Sequence, residues 1–255
     1  MGKVVVTFKE KLKTLDRALT AHICTIPSPI VTQAMAAAGA DSIFVDFEHG
    51  AIDYASAQAM FAAVAGTSCA PMARVTEIDA AQVKRVLDVG AEGSAFPLVR
   101  TAEDAKRAVE TLYYPPKGVR GFGPFVAHSH HGTSLMEYRA AIAPKLTCVL
   151  LAETVEAVEN IEAICAVEGV DAVMPAQFDL STALGVPGQF DHPDMVRAVA
   201  KIEAAALTAG IPLGNVGLQE AQAVDLIDRG YKIIAGFDVL WLRAQAERTQ
   251  SWVMR

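Results

Sequence analysis

The sequence contains 255 residues, of which 52% are hydrophobic and 20% charged, and its formal net charge at pH 7 is −7. This composition supplies enough apolar surface for a large core and argues against an intrinsically disordered chain, while the acidic balance argues against nucleic-acid binding and a polybasic membrane patch. Because no apolar run is long enough to span a membrane, no CxxC pair occurs and the first residues lack a signal-peptide pattern, we expect a reduced, cytoplasmic protein without membrane partners.

Short apolar runs alternate with alanine-rich helical segments along the whole chain. The predicted strands cover residues 22–26, 42–46, 71–74, 94–98, 147–153, 172–175, 212–216 and 232–235. Most of these runs are continuously apolar, as parallel strands covered on both faces are. The predicted helices cover residues 54–65, 80–89, 102–112, 155–166, 193–209 and 218–228.

About eight βα units in a chain of this length predict one (β/α)8 barrel domain, a TIM barrel, over residues 1–255. Gly90, Gly210 and Gly230 follow three of the helices, where a left-handed cap is expected. An open, doubly wound sheet is the alternative, because a repeated βα period does not show that the sheet closes. The longest irregular stretch, 114–137, follows the helix at 102–112, and a loop of this length is typical of a functional or interface element.

Catalytic groups of such barrels lie where the strands end, so the polar residues that terminate the apolar runs are the candidates. The second strand ends in DFEHG (46–50), the third in Arg74 and the fifth in Glu153. The sixth strand is followed by AQFDLS (176–181). Four strands therefore deliver acidic, basic and cationic groups to one face of the predicted barrel.

Glu153 and Asp179 form a pair of carboxylates at the ends of adjacent predicted strands. Two carboxylates with few other ligands suit Mg²⁺ or Mn²⁺, which keep positions for water and substrate oxygens. The alternative is that both acids stabilise the start of a helix. Arg74 would bind a carboxylate or stabilise an oxyanion; the alternative is an ion pair with Asp46 or Glu48.

His49 follows two acidic residues and is suited to proton transfer near neutral pH, although a histidine in a loop is often structural. The residues Ala176–Ser181 offer consecutive backbone N–H groups at a predicted helix start, which could hold a carboxylate or a phosphate. His128, His130 and His131 are too closely spaced for an ordinary zinc site, so we favour a substrate-facing or intersubunit loop for them.

From near Leu12 to its last helix, the chain resembles the HpcH/HpaI-type class II (metal-dependent) 2-oxo-acid aldolases. The matching segments are VDFEHG (45–50), PMAR (71–74), VKRVLDVGAEG (83–93), YYPPKGVRGFG (113–123), ETVEAVEN (153–160), VEGVDAV (167–173) and FDLSTALG (178–185). The resemblance implies a (β/α)8 barrel with an additional N-terminal helix and a C-terminal helix that is exchanged between subunits. It also implies a homo-hexamer, a trimer of dimers, and in one branch a role in aromatic compound catabolism.

For the site, the resemblance implies a divalent metal, Mg²⁺ or Mn²⁺ with Co²⁺ as a further candidate, held by Glu153 and Asp179. It implies that Arg74 stabilises an enolate, and that His49 transfers a proton with the assistance of Asp46.

A further residue, Asp88, matches a position in the family's histidine network, within the chain or across a subunit boundary. The chain departs from the family where Leu151 replaces a frequent glutamine and where Ala176-Gln177-Phe178 replaces a Gly-Pro-Ala turn. Both departures lie in the predicted substrate pocket, so they affect the choice of substrate more than the metal chemistry.

The expected reaction is reversible cleavage of a 4-hydroxy-2-oxo acid to pyruvate, or hydroxypyruvate, and an aldehyde. The pocket would bind the 2-oxo acid through Arg74 and residues 176–179. Alternatives on the same scaffold are an acyl-CoA lyase, a decarboxylase or a C–C coupling enzyme; outside enzymology, the alternative is an anion-binding scaffold protein. A lysine Schiff base is disfavoured, because no lysine ends a predicted strand.

Overall fold

The computed structural model describes residues 6–254, and their eight strands form one parallel sheet. The strands are β1 (Leu19–Cys24), β2 (Ser42–Asp46), β3 (Ala70–Arg74), β4 (Gly93–Phe96), β5 (Thr147–Ala152), β6 (Ala172–Pro175), β7 (Gly214–Val216) and β8 (Ile233–Phe237). Their order in the sheet is β6-β5-β4-β3-β2-β1-β8-β7. The predicted domain of 1–255 also includes residues 1–5 and 255, which lie outside the described residues.

The two ends of the sheet meet. A parallel bridge joins Val173 of β6 to Leu213 beside β7, and the backbone N–H of Val173 donates to the carbonyl of Pro212 at 3.0 Å. The sheet is therefore a closed (β/α)8 barrel, as predicted, and the doubly wound alternative is wrong.

Thirteen helices lie along residues 6–254. They are α1 (Phe8–Thr14), α2 (Pro29–Ala37), α3 (Tyr54–Ala62), α4 (Ala80–Asp88), α5 (Ala102–Leu112), α6 (Ala127–His130), α7 (Tyr138–Ile142), α8 (Val155–Glu159), α9 (Ile161–Cys165), α10 (Gln177–Ala183), α11 (Pro193–Ala209), α12 (Glu220–Asp228) and α13 (Asp238–Val253). Among these described elements, none has the length and apolarity required to cross a bilayer.

Most elements begin or end one to three residues away from the sequence prediction, and one predicted helix is divided in two. The first strand ends at Cys24 instead of residue 26, because the backbone N–H groups of Thr25 and Ile26 donate to the carboxylate of Asp238 at 3.0 and 2.9 Å. The helix predicted at 155–166 is two helices that meet at Asn160. The three predicted glycine caps are confirmed by φ angles of +126°, +67° and +88° at positions 90, 210 and 230.

An N-terminal helix closes one end of the barrel. Phe8 of α1 is buried against Phe44 of β2, with ring centroids 6.2 Å apart, and joins the apolar cluster inside the barrel. The additional N-terminal helix is thus confirmed. Because α1 fills the amino end, the interior opens at the carboxyl ends of the strands.

The C-terminal helix α13 packs on its own barrel only through its first turns. Trp241 lies against Gly236 and has its ring centroid 4.8 Å from that of His22. Farther along, Leu242, Trp252 and Val253 are exposed. An exposed apolar helix end is what a helix exchanged between subunits requires, and that exchange, with the hexamer, stays a prediction.

Candidate active site

Four chain segments carry ionisable side chains to the open end of the barrel. Asp46 ends β2 and Arg74 ends β3, and the two residues are partners in the strand register. Glu153 directly follows β5, and Asp179 lies in the first turn of α10, after β6. Parallel strands of a barrel end on one rim, so the structure brings these four sequence-derived candidates together.

The guanidinium of Arg74 is held by two carboxylates. Its Nε and Nη2 donate to the two oxygens of Asp46 at 2.8 and 2.6 Å, and its Nη1 lies 3.2 Å from Oε2 of Glu48. Asp46 is fully buried, and the Arg74 side chain is 12% exposed. A bidentate pair of this kind fixes the plane of the guanidinium. The ion pairs that were the alternative for Arg74 are therefore present, and they hold the guanidinium of a residue that also lines the cavity at this end of the barrel.

Glu153 is buried beside an unusual backbone conformation. Its Oε1 accepts a hydrogen bond of 2.6 Å from the backbone N–H of Leu98. Leu98 has a φ of +55°, the left-handed region that non-glycine residues rarely adopt and that clusters at functional sites. Burial raises the pKa of Glu153 to about 7, with smaller raising contributions from the charges of Glu48 and Asp179 and against the lowering effects of the hydrogen bond from Leu98 and the charge of Arg74.

Sequence reasoning did not name Glu48 as a site residue; it treated Glu48 as an alternative partner for Arg74 and as one of the two acids that precede His49. Burial raises the pKa of Glu48 to about 7, against the lowering effect of Arg74 and with further raising by Asp46 and Asp179. The available signal was its position two residues after Asp46, beyond the end of a strand. The rim thus carries four carboxylates around one guanidinium.

This excess of negative charge fits a divalent cation. The carboxylate of Asp179 and Oε2 of Glu153 have no hydrogen-bond partner in the described part of the chain, so both are free to bind a metal. Within residues 6–254, no cluster of three or more His, Cys, Asp or Glu side chains is arranged to hold a metal ion. A metal here would have two protein ligands, which suits Mg²⁺ and Mn²⁺ because both take further oxygens from water and substrate.

His49 lies at the same rim. The sequence suggested that Asp46 assists His49, but Asp46 does not contact the imidazole in the structure. The oxygen Oδ1 of Asp46 accepts from the backbone N–H of His49 at 3.4 Å, and both carboxylate oxygens are bound to Arg74. The imidazole is largely exposed, and its Nε2 lies 3.9 Å from Oε2 of Glu48. The carboxylate beside the ring is therefore that of Glu48.

Within one chain, Asp88 is remote from His49. It is the last residue of α4, which runs from the open rim back to the amino ends of the strands. There its carboxylate accepts a hydrogen bond of 2.6 Å from Nη2 of the buried Arg120. Its predicted role in a histidine network stays a prediction and would require a second subunit.

A cavity occupies the open end of the barrel. Its wall includes Arg74, Leu151 and the residues Ala176–Asp179, and its floor is apolar. Leu151 presents an apolar side chain in this wall, and its position in the substrate pocket agrees with the sequence prediction. Phe178 is 57% exposed and packs edge-on against Phe190, with ring centroids 5.1 Å apart, so it reshapes the entrance more than the floor.

The three histidines of the 114–137 stretch lie away from this cavity. His131 is buried with its Nδ1 3.6 Å from Oε1 of Glu92, which precedes β4 at the amino end of the barrel. Burial lowers the pKa of His131 to about 3. Within one chain the histidines do not line the cavity, and the intersubunit interpretation stays a prediction.

The raised pKa values at the rim predict that the metal-free protein loses stability as the pH rises. A carboxyl group with a higher pKa in the folded state binds a proton on folding, so stability falls between about pH 4.5 and 7. Both Glu48 and Glu153 have a pKa of about 7, above the value of 4.5 for an exposed glutamate. We expect Glu153→Gln to flatten this fall in thermal melts of the metal-free protein. An unchanged slope would contradict the prediction, and the exposed Glu156, changed to Gln, serves as the control.

Comparison with known proteins places this rim in a family. The profile described as HpcH/HpaI aldolase/citrate lyase matches residues 25–244. A 5-keto-4-deoxy-D-glucarate aldolase from Klebsiella pneumoniae subsp. pneumoniae is 34% identical over 251 residues, which cover 94% of this chain and 95% of that protein.

Solved structures agree with the sequence comparison. An HpcH/HpaI aldolase/citrate lyase family protein from Burkholderia cenocepacia has a TM-score of 0.90 at 28% identity, over 97% of this chain and 98% of that chain. An HpcH/HpaI aldolase from Desulfitobacterium hafniense has a TM-score of 0.89 at 28% identity, over 97% and 96% of the two chains. Similarity in sequence over most of the chain, and in fold over nearly all of it, shows that the chain belongs to the HpcH/HpaI aldolase/citrate lyase family.

Proposed function

We propose that this protein is a divalent-metal-dependent aldolase that reversibly cleaves a 4-hydroxy-2-oxo acid to pyruvate, or hydroxypyruvate, and an aldehyde. The observation that carries the proposal is the rim itself: Arg74 lines the cavity, and the carboxylates of Glu153 and Asp179 beside it are not bound to its guanidinium. Family membership supports lyase chemistry and the use of a divalent metal.

The proposed binding mode uses the carboxylates of Glu153 and Asp179 and the start of α10. Glu153 and Asp179 would hold Mg²⁺ or Mn²⁺, with Co²⁺ as a further candidate, and the ion would supply Lewis acidity to the oxygens of the 2-oxo acid. The backbone N–H groups of Gln177 and Phe178, in the first turn of α10 after Ala176, would bind the substrate carboxylate. The N–H bonds of Arg74 that do not contact Asp46 or Glu48 would donate to the 2-oxo oxygen.

In the cleavage direction, His49 accepts the proton of the 4-hydroxyl group. The electron pair of that O–H bond forms the aldehyde carbonyl, the C3–C4 bond breaks, and its electrons form the enolate of the 2-oxo acid. Arg74 stabilises the developing negative charge on the enolate oxygen. Because its guanidinium is already fixed by Asp46, little reorganisation is required when the charge appears.

The substrate we propose is a hydroxylated sugar-acid derivative. The relatives with 34% identity are named 5-keto-4-deoxy-D-glucarate aldolases, which supports sugar-acid catabolism over the aromatic catabolism implied by the family resemblance. The proposal further includes a cytoplasmic homo-hexamer, for which the exposed apolar end of α13 is the supporting feature.

The alternatives fit the structure less well. No lysine lines the cavity within the described residues, which disfavours a Schiff base. An acyl-CoA lyase needs basic groups for the CoA phosphates, for which Lys117 and Arg120 are the candidates in the 114–137 stretch, but Arg120 is buried and bound to Asp88. Decarboxylation or C–C coupling on the same scaffold would use the same enolate and is distinguished by product analysis.

Solvent deuterium exchange into the methyl protons of pyruvate tests the proposal without knowledge of the aldehyde. We expect Mn²⁺-loaded protein to catalyse the exchange, and His49→Ala to reduce its rate by roughly 100-fold or more, because positioned proton transfer contributes about 10² to 10⁴. Absence of exchange in the wild-type protein with both pyruvate and hydroxypyruvate would refute the aldolase proposal and favour an anion-binding scaffold.

A further inference from the structure

Glu48 lies between the two side chains to which the proposed reaction assigns different roles. Its Oε2 is 3.2 Å from Nη1 of Arg74 and 3.9 Å from Nε2 of His49. The Glu48 side chain is 16% exposed and that of His49 is 64% exposed. The partly buried carboxylate of Glu48 thus faces an exposed imidazole on one side and a partly buried guanidinium on the other.

In the part of the chain that the structure describes, Glu48 is the only residue whose carboxylate lies within 4.0 Å of an imidazole nitrogen of His49. Both oxygens of Asp46 bind Arg74, and Oδ1 also accepts from the backbone N–H groups of Glu48 and His49 at 3.1 and 3.4 Å. Asp46 therefore shapes the backbone of this turn and the plane of the guanidinium. The carboxylate that lies beside the imidazole of His49 is therefore that of Glu48.

We propose that Glu48 is a positioning residue of the aldolase reaction, whose carboxylate holds the imidazole of His49 and the guanidinium of Arg74 in a fixed relation. The inference rests on the proposed function and deepens it. A carboxylate on Nε2 of a histidine favours the tautomer with a proton there, which leaves Nδ1 free to accept a proton from substrate. Without it, an exposed imidazole samples several rotamers and spends less time in the reactive one.

The surrounding charges also make Glu48 a candidate metal ligand. The test must therefore distinguish metal binding by Glu48 from its effect on His49 and Arg74. Arg74 approaches from β3, Asp46 from β2, Glu153 from the end of β5 and Asp179 from α10. The ion pair with Nη1 of Arg74 occupies Oε2, the oxygen that also faces His49. We therefore expect Glu48 to act on the two cationic side chains and to contribute little to metal affinity.

The experiment compares Glu48→Gln, which keeps the size of the side chain, with Glu77→Gln, an exposed glutamate that makes no ion pair in the described part of the chain. We expect Glu48→Gln to reduce the rate of pyruvate deuterium exchange by about 10- to 100-fold, with KM and the Kd for Mn²⁺ within about threefold of wild type. Glu48→Asp, which keeps the charge, should recover part of the rate, and Glu77→Gln should match wild type.

A double-mutant cycle with His49→Ala identifies the residue through which Glu48 acts. If Glu48 works through His49, adding Glu48→Gln to His49→Ala should reduce the exchange rate by less than about threefold. A full additional 10- to 100-fold loss, or a Kd for Mn²⁺ raised more than tenfold, would overturn the inference. Wild-type exchange that is lost in His49→Ala but unchanged in Glu48→Gln would overturn this inference alone and leave the proposed function intact. Thermal melts and circular dichroism of each variant establish that it is folded.

Discussion

Replacing Glu153 by glutamine is expected to abolish Mn²⁺ binding and to reduce the rate of pyruvate deuterium exchange by roughly a thousandfold. A bound divalent ion stabilises transition-state charge by several kcal/mol, and each 1.36 kcal/mol corresponds to a factor of ten in rate. Glutamine keeps the shape of the side chain and can accept the hydrogen bond from Leu98, so the loss would report the missing charge. Mn²⁺ affinity, measured by isothermal titration calorimetry, provides a readout independent of turnover.

Asp179→Asn should produce the same two losses, and the control is Glu156→Gln, an exposed acid on the helix that follows β5. Chelation of the wild-type protein should remove exchange activity, and added Mn²⁺ should restore it. Full activity in chelated protein, or wild-type Mn²⁺ affinity in Glu153→Gln, would remove the metal from the mechanism. Borohydride trapping of pyruvate on the chelated protein would then indicate a lysine Schiff base.

Glu153→Gln is expected to reduce the catalytic rate and, near neutral pH, to increase the stability of the metal-free folded state. Burial, and secondly the repulsion from neighbouring carboxylates, disfavours the ionised forms of Glu48 and Glu153 in the metal-free protein and raises the pKa of each to about 7. A cation would convert this repulsion into affinity. The instability of the metal-free rim and its capacity to bind a metal are therefore one property of the site.

The fold could be predicted because its signals are local. Continuous apolar runs identify parallel strands, and the glycines at 90, 210 and 230 terminate helices whatever the tertiary structure is. The end of β1 could not be placed from the sequence, because it depends on the carboxylate of Asp238, which is 213 positions from Thr25. Closure of the barrel likewise depends on the contact of Val173 with Leu213, which the βα period does not reveal.

The rim residues could be predicted because parallel strands end together, so Asp46, Arg74 and Glu153 had to share one face. The ion pairs among these residues could not be predicted. Asp46 at the end of β2 and Glu48 just after it are both close enough in sequence to pair with Arg74, and only the structure shows that Asp46 binds two of its nitrogens and Glu48 the third. A carboxylate's partner is decided by side-chain rotamers and distances of a few ångströms, which sequence spacing does not encode.

Arg74→Lys is expected to reduce the exchange rate by roughly 100- to 1000-fold while leaving Mn²⁺ affinity within about threefold of wild type. Lysine retains the positive charge but has a single nitrogen, so it cannot bind both oxygens of Asp46 and still donate to a developing enolate. Removal of one oxyanion donor typically reduces kcat by about 10² to 10³. The measurement is pyruvate exchange at saturating pyruvate, with Mn²⁺ titrated in parallel.

The result separates electrostatic catalysis from simple charge balance at the rim. If Arg74 only neutralises Asp46 and Glu48, lysine should substitute for it and the rate should stay near that of wild type. If the fixed guanidinium stabilises the enolate, the charge alone is insufficient, and the rate should fall although the protein stays folded and binds Mn²⁺. Arg100 is an exposed arginine on the loop after β4, and Arg100→Lys controls for the general effect of replacing an arginine by a lysine. A wild-type rate in Arg74→Lys would contradict the assignment of Arg74, because the planar fork held by Asp46 would then have no catalytic consequence.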